Sequence, residues 1–115
     1  MNGTDYWPDA GDIVWTDFNP TPGREQAGRR PALVVSPEAF SRSTGFVIVC
    51  PIISKIRPFP ASVVLSEDSP IRGEILLANI RSLDLHARVI RFAGFKVSVH
   101  VASKVRKKLG ALIAI

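Results

Sequence analysis

Short apolar runs rich in β-branched residues alternate with clusters of turn residues through most of this chain. Proline, glycine, serine and threonine fill the clusters, as in Pro20–Gly23 and Ser41–Gly45. This spacing predicts a mostly β fold, a small antiparallel barrel or sandwich. Several runs are continuously apolar, so we expect both of their faces to be covered, either by barrel closure or by a partner subunit. The predicted strands are Ile13–Phe18, Ala32–Val35, Phe46–Ile53, Val63–Leu65, Ile75–Ala78 and Val89–Phe92.

The apolar period changes near the end of the chain. Val101, Val105, Leu109 and Leu112 follow one another in steps of four, four and three residues, which predicts an amphipathic helix over 99–113. Ser98 precedes this pattern and is the expected N-cap. One helical turn each is also predicted over 37–40 and over 81–85, and the whole chain, 1–115, is expected to form a single domain.

The basic residues are concentrated in the last third of the chain. Residues 1–84 carry eight Lys and Arg against ten Asp and Glu, whereas residues 85–115 carry seven Lys and Arg and no acid. This asymmetry favours a polyanion or an acidic partner near the C-terminal third. The alternative for Lys104, Arg106, Lys107 and Lys108 is the solvated face of the predicted helix.

Other residue types argue against several classes of protein. The single cysteine, Cys50, lies in an apolar run, so we expect a buried thiol in a reducing compartment. The N-terminal residues do not resemble a signal peptide, and the apolar C-terminal end is too short for a membrane span, so a cytoplasmic protein is expected. His86 and His100 stand apart from any carboxylate or thiol cluster, and neither a metal nor another cofactor is predicted.

The segment between the first two predicted strands carries the strongest chemical signal. Arg24, Glu25, Gln26, Arg29 and Arg30 fall within seven residues of a Gly- and Pro-rich loop. Guanidiniums and a carboxylate together suit a site that holds a phosphate and moves a proton. The glycine spacing there also matches a nucleotide-binding P-loop, but an Arg-Arg-Pro sequence stands where that motif needs Lys-Ser/Thr and a helix.

The same segment resembles the MazF/PemK family of toxin endoribonucleases. From Gly11 to Ser36 the chain matches that family's opening pattern, GD-I-V-W-x-D-F-x-P-x-x-G-x-E-Q-x-G-x-R-P-A-L-V-x-S. The later sequence RSLDLHAR, residues 81–88, looks most like the ChpB branch, and the likeness covers nearly the whole chain. The resemblance implies an SH3-like barrel with small helices, the fold that these toxins share with the gyrase poison CcdB.

The resemblance also implies a function, that of the toxin in a type II toxin–antitoxin pair. Such toxins inhibit translation and growth by cutting single-stranded mRNA at a short sequence without a metal ion, which leaves 2′,3′-cyclic phosphate and 5′-hydroxyl ends. Arg30 matches the family's catalytic arginine and Glu25 its loop glutamate. An arginine is a poor proton acceptor, which favours Glu25 as the base, although family accounts give the arginine both proton roles. A loop-stabilising ion pair between Glu25 and Arg30 is the structural alternative.

One family position departs from the pattern. Where family members read Pro, aliphatic, Thr, this chain reads Pro51-Ile52-Ile53, so an isoleucine replaces the hydroxyl that contacts the scissile phosphate. Ser54 is the next residue, but it can substitute only if the backbone there is bulged or irregular, since neighbouring strand residues face opposite ways. A weakened or inactive RNA- or antitoxin-binding module is therefore one alternative. A gyrase-directed poison is another, which the absence of a C-terminal tryptophan disfavours.

The remaining candidates concern RNA and protein partners. Trp15 is expected in the core, because its indole lies in the middle of a strand, and stacking on an unpaired base is the alternative for it. The resemblance implies a homodimer and an antitoxin whose acidic, flexible segment lies along the basic RNA groove. Single-stranded RNA is expected to be held through phosphate contacts, base stacking and base-edge hydrogen bonds. The RNA-binding candidates are Asp17, Phe18, Asn19, Arg24, Gln26, Arg29, Lys55, Arg57, Phe59 and Arg81.

Overall fold

The computed structural model describes residues 6–18, 29–58 and 60–115, which form an antiparallel sheet with a C-terminal helix. A short 3₁₀ turn over Leu77–Asn79 follows β5. The elements are β1 (Asp12–Asp17), β2 (Arg29–Val34), α1 (Glu38–Thr44), β3 (Phe46–Ile53), β4 (Ser62–Val64), β5 (Glu74–Leu76), β6 (Arg81–Asp84), β7 (Ile90–Lys96) and α2 (Val99–Leu112).

The order of strands in the sheet is β4-β5-β3-β2-β1-β7, with β6 also paired to β3. The long strand β3 serves two neighbours on one side: its first half pairs with β6 and its last two residues pair with β5. Among the described residues β4 and β7 do not pair with each other, so the hydrogen-bonded sheet is not closed. The expected mostly β antiparallel fold is confirmed, but as an open sheet.

Both faces of the central strands β2 and β3 contribute to buried clusters within this one chain. On β2, Leu33 belongs to a cluster packed against α2, whereas its neighbour Val34 belongs to a second cluster with Val47 and Leu83. This arrangement explains why the strands read as continuous apolar runs. Cys50 is fully buried in the first cluster, and burial raises the pKa of its thiol to about 12, as expected for a structural cysteine.

The helices agree with the sequence pattern in two places and not in a third. Helix α2 starts where predicted, and Ser98 Oγ accepts the backbone N–H of Val101 at 3.1 Å. The predicted turn over 37–40 is the start of the longer α1, which ends at Thr44 and is capped by Gly45 with a left-handed φ of 77°. The predicted turn over 81–85 is wrong, because these residues form β6, with Leu83 opposite Val47. No helix within the described ranges has the length and apolar content needed to cross a lipid bilayer.

A polar cluster joins the segment before β1 to the end of β7. The Lys96 ammonium lies 2.8 Å from Asp12 Oδ1 and 3.4 Å from Asp9 Oδ2, and Tyr6 donates its hydroxyl to Asp12 Oδ2 at 2.7 Å. Asp9 Oδ1 also accepts the backbone N–H of Glu38 at 2.9 Å, which ties the cluster to α1. The hydrogen bond to Asp12 raises the pKa of Lys96, and burial raises the pKa of Tyr6.

This cluster should make the protein lose stability at alkaline pH. The pKa values of Tyr6 and Lys96 are raised in the folded state. Their contribution is therefore full below the unfolded values of about 10 and is lost as pH rises through the folded values. Urea unfolding between about pH 8 and about pH 11 measures the decline, which should be shallower in Tyr6→Phe and Lys96→Met. Identical slopes in the wild type and both variants would contradict this assignment.

Candidate active site

Five strand ends meet at one end of the sheet, and this line of strand ends is termed the sheet edge. There β1 and β3 end, and β2, β5 and β7 begin. The register places Arg30 opposite Thr16 and Arg29 opposite Asp17, and Thr16 in turn lies opposite Ile90 of β7. On the other side of β3, Ile53 lies opposite Glu74. Antiparallel pairing thus gathers residues from distant parts of the sequence at this edge.

Alternation along the strands divides these residues between the two faces of the sheet. Arg30 is two residues from Ala32 on β2, and Thr16 is two residues from Val14 on β1. Ala32 and Val14 both belong to the core cluster that contains Val49. Arg30 and Thr16 therefore share that face. Arg29 is opposite Asp17 and shares the other face with it.

Arg30 and Arg29 are both exposed. Within the described ranges neither guanidinium has a hydrogen bond or an ion pair. The alternative of an ion pair between Glu25 and Arg30 concerns a residue outside the described ranges. Because a guanidinium stays charged and offers paired N–H donors, two such groups at one strand start suit the binding of phosphate oxygens.

A cavity of about 200 Å³ opens beside this edge. Arg88 closes one side of it, and its Nη1 donates to the backbone oxygen of Asp17 at 2.5 Å. Trp15 lines the cavity and is only partly buried, so the expectation that it packs in the core is wrong. An aromatic ring, a carboxylate and three guanidiniums together suit a nucleotide. The lining residues are Trp15, Asp17, Arg29, Ala87, Arg88, Val89 and Arg91.

Phe18 and Arg81, both predicted to contact RNA, lie against each other. Phe18 is 8% exposed and packs in the core, and the Arg81 guanidinium lies 5.3 Å from the centroid of its ring. A base can stack on Phe18 only if Arg81 moves away. The exposed Arg81 itself remains accessible to a phosphate.

The segment after β3 carries the candidates Ser54, Lys55 and Arg57, all exposed. The strand ends at Ile53 and the chain bends at Ser54, so strand alternation no longer fixes where the Ser54 side chain points. The backbone there is therefore irregular, which is the condition under which Ser54 can substitute for the hydroxyl absent at Ile53.

A buried carboxylate holds this segment in place. Glu74 is fully buried, accepts the backbone N–H of Arg57 at 2.7 Å, and accepts the hydroxyl of Ser62. These bonds fix the segment that carries Lys55 and Arg57 to the starts of β4 and β5. Sequence reasoning missed Glu74, because an acidic residue after a glycine reads as part of a surface turn.

Comparison with known proteins identifies the family. Residues 9–113 match the family described as the PemK-like, MazF-like toxin of type II toxin-antitoxin systems. The chain belongs to this toxin family. It is 42% identical over 84 residues to the endoribonuclease toxin MazF of Escherichia coli K12, and the aligned region covers 72% of this chain and 74% of that toxin. It is 40% identical over 89 residues to the endoribonuclease toxin ChpB of the same strain, and the aligned region covers 73% of this chain and 76% of ChpB.

Solved structures of MazF have the same fold as this toxin-family chain. MazF from Deinococcus radiodurans superposes with a TM-score of 0.83 at 40% identity, covering 96% of this chain and 100% of that chain. A MazE–MazF structure from the same organism gives 0.82 at 37% identity, covering 96% and 99%. The MazF/PemK resemblance seen in the sequence is confirmed, and the identities to MazF and ChpB are too similar to separate the two branches.

Some predicted residues of this toxin-family chain lie outside the described ranges, namely Asn19, Arg24, Glu25, Gln26 and Phe59. Two cavity arginines, Arg88 and Arg91, were missed as individual candidates. The signal for them was the excess of basic residues in the last third of the chain. Among the basic residues of that last third, Arg88 and Arg91 line the cavity.

Proposed function

We propose that this chain is the toxin of a type II toxin–antitoxin pair and cleaves single-stranded mRNA without a metal ion. One observation carries the proposal. Arg30 stands exposed and without an ion pair in the described ranges, at the edge where five strand ends meet, and the adjacent Arg29 lines an arginine-rich cavity on the other face. The names of the relatives support it as well, since MazF and ChpB are both called endoribonucleases.

In the proposed reaction the 2′-hydroxyl of the RNA attacks the adjacent phosphorus. The bond from phosphorus to the 5′-oxygen then breaks, leaving a 2′,3′-cyclic phosphate and a 5′-hydroxyl. The 2′-oxygen loses a proton, the leaving 5′-oxygen gains one, and extra negative charge develops on the phosphorane between these steps. Arg30 stabilises that charge through two N–H donors, and Glu25 is the proposed base.

Substrate binding is proposed to use both sides of the same edge. Arg29, Arg88 and Arg91 in the cavity would hold phosphates while Trp15 offers a ring for one base. Lys55 and Arg57 would extend the basic surface along the segment fixed by Glu74. Single-stranded RNA fits this geometry, because in-line attack needs a flexible linkage that an A-form duplex does not offer.

The proposed biological setting follows from the family. The chain acts in the cytoplasm as one domain and as a homodimer, restrained by an antitoxin whose acidic segment covers the basic surface. A related toxin from Deinococcus radiodurans has been crystallised in a complex described as MazE-MazF, which supports an antitoxin partner for this chain. The acidic character of that segment is implied by the family resemblance, and the arginines of the cavity are complementary to it in charge.

A cleavage assay in a chelator tests the proposal. Purified chain is incubated in EDTA with a long single-stranded RNA and, in parallel, with the same RNA annealed to its complement. We expect cutting of the single strand at a small set of sites and protection of the duplex. Intact single-stranded RNA at micromolar enzyme would contradict an endoribonuclease and return the choice to an RNA- or antitoxin-binding module. DNA breaks that require gyrase would instead indicate the gyrase-directed poison.

The inactive-module alternative and the gyrase poison are both less well supported. The chain matches proteins named endoribonucleases over about three quarters of their length, with 74% of MazF and 76% of ChpB covered. The departure at Ile53 nevertheless predicts a reduced rate, since this side chain offers no hydrogen bond to the phosphate.

Ile53→Thr should raise the cleavage rate about tenfold or more, because one hydrogen bond to a transition state is typically worth a factor of 10²–10³. Ile53→Val is the matched control, since valine and threonine share a shape and differ in the hydroxyl. Single-turnover cleavage of one RNA by the three proteins measures the effect. Equal rates for Thr and Val would mean that another group, such as Ser54, already supplies the bond.

A further inference from the structure

Thr16 carries a hydroxyl that is buried in the sheet. Its side chain is 1% exposed, and Oγ1 has no hydrogen-bond partner in the part of the chain that the structure describes. An unpaired buried hydroxyl lowers stability, and native proteins retain few of them. Valine would fill the same space in this strand without that cost, so the hydroxyl calls for a functional explanation.

The position of Thr16 points to Arg30. The two residues lie directly opposite each other in the β1–β2 ladder. Side chains opposite each other on one face of an antiparallel pair have their Cβ atoms about 4.5–5.5 Å apart, within easy reach of an arginine. Thr16 is also stiff at χ1, as a β-branched residue in a strand, so its hydroxyl is held in a defined place.

The other flank of Arg30 offers no such partner. Ala32 lies opposite Pro51 on β3. Two residues further toward the sheet edge on each of these antiparallel strands are Arg30 and Ile53, which the same register places opposite each other. Thr16 and Ile53 are thus the residues on either side of Arg30 across the sheet, and Ile53 has no polar side-chain atom. Of these two neighbours, Thr16 alone can form a hydrogen bond with the guanidinium.

We propose that Thr16 is a positioning residue for Arg30. When the Arg30 side chain lies over the sheet to bind the scissile phosphate, the Thr16 hydroxyl oxygen accepts one of its five N–H groups. A bidentate contact with phosphate uses two of these donors, so a donor remains available for the threonine. The bond fixes the plane of the guanidinium, so that both donors point at the oxygens on which charge develops. This inference rests on the proposed cleavage of RNA.

The test compares Thr16→Val with Thr16→Ser. Valine keeps the shape and removes the hydroxyl, so kcat should fall about tenfold or more, while KM changes less than about twofold, because the phosphate contacts elsewhere are intact. Serine restores the hydroxyl and should recover most of the lost kcat. The midpoint of thermal unfolding should stay the same or rise in Thr16→Val, because the hydroxyl has no hydrogen-bond partner among the described residues of the free chain.

Each outcome decides the inference. A wild-type kcat in Thr16→Val would overturn the positioning role while leaving the endoribonuclease proposal intact. A fall in kcat together with a clear drop in the unfolding midpoint would also overturn it, because the hydroxyl would then have a structural partner. If the wild-type chain itself cuts no RNA, the proposed function fails first, and the inference fails with it.

Discussion

Arg30→Ala should lower the cleavage rate by a factor of about 10²–10³ or more, with RNA still bound. Arg30 is the exposed guanidinium opposite Thr16 at the sheet edge, and the proposed reaction leaves charge on the phosphorane that no other group is assigned to offset. Single-turnover cleavage at saturating enzyme separates this loss of rate from a loss of affinity. A binding measurement on the same variant should give an affinity within a few-fold of the wild type.

Arg29→Ala is the matched control for this prediction. Arg29 is the adjacent residue on β2, is equally exposed and carries the same charge, but it lies opposite Asp17 and faces the cavity. Its loss should weaken binding several-fold and leave the saturated rate nearly unchanged. If both variants lose the same amount of rate, the effect is one of overall charge, and the assignment of Arg30 to the reacting phosphate is wrong.

Glu74→Ala should lower the free energy of unfolding by about 3 kcal/mol, because it removes the buried acceptor of two hydrogen bonds. In the native chain the carboxylate accepts the N–H of Arg57 and the hydroxyl of Ser62 from a fully buried position. Because these bonds fix the segment that carries Lys55 and Arg57, the KM for RNA should rise as well. Urea denaturation gives the first quantity and steady-state cleavage the second.

Glu67 provides the control for Glu74. It is exposed, stands in the connection between β4 and β5, and is the same residue type. Glu67→Ala should change the free energy of unfolding by less than about 0.5 kcal/mol. The loss of unfolding free energy in Glu74→Gln should lie between those of Glu74→Ala and Glu67→Ala, since the amide oxygen can still accept the N–H of Arg57. Equal stabilities of the two alanine variants would show that the buried carboxylate does not hold the segment.

Local pattern and family resemblance predicted much of this molecule. The helical period of Val101, Val105 and Leu109 is a local property, and α2 with its Ser98 cap was predicted from it. The apolar run around Cys50 predicted a buried strand, because a stretch without polar residues has few other places in a small domain. Arg30 was predicted by resemblance, and its exposed position at the sheet edge is compatible with the proposed role.

Properties that depend on strand pairing were not predicted. The sequence of residues 81–85 predicts a helical turn, and only the pairing of Arg81–Asp84 with β3 makes it a strand. Trp15 was assigned to the core, since a strand sequence does not reveal that Arg88 and Arg91 come to lie beside it. Neither Glu74 nor Thr16 belongs to a recognisable sequence motif. Their proposed roles follow from burial and strand register, which the sequence does not reveal.

The central claim is that the RNA supplies its own nucleophile at the edge of the sheet where Arg30 lies, without a metal ion. The most direct test replaces the single 2′-hydroxyl next to a mapped cleavage site by hydrogen and repeats the reaction in EDTA. We predict that the unmodified RNA is cut to 2′,3′-cyclic phosphate and 5′-hydroxyl ends, and that the 2′-deoxy RNA stays intact at that site. Cleavage of the 2′-deoxy linkage at a similar rate would contradict the account.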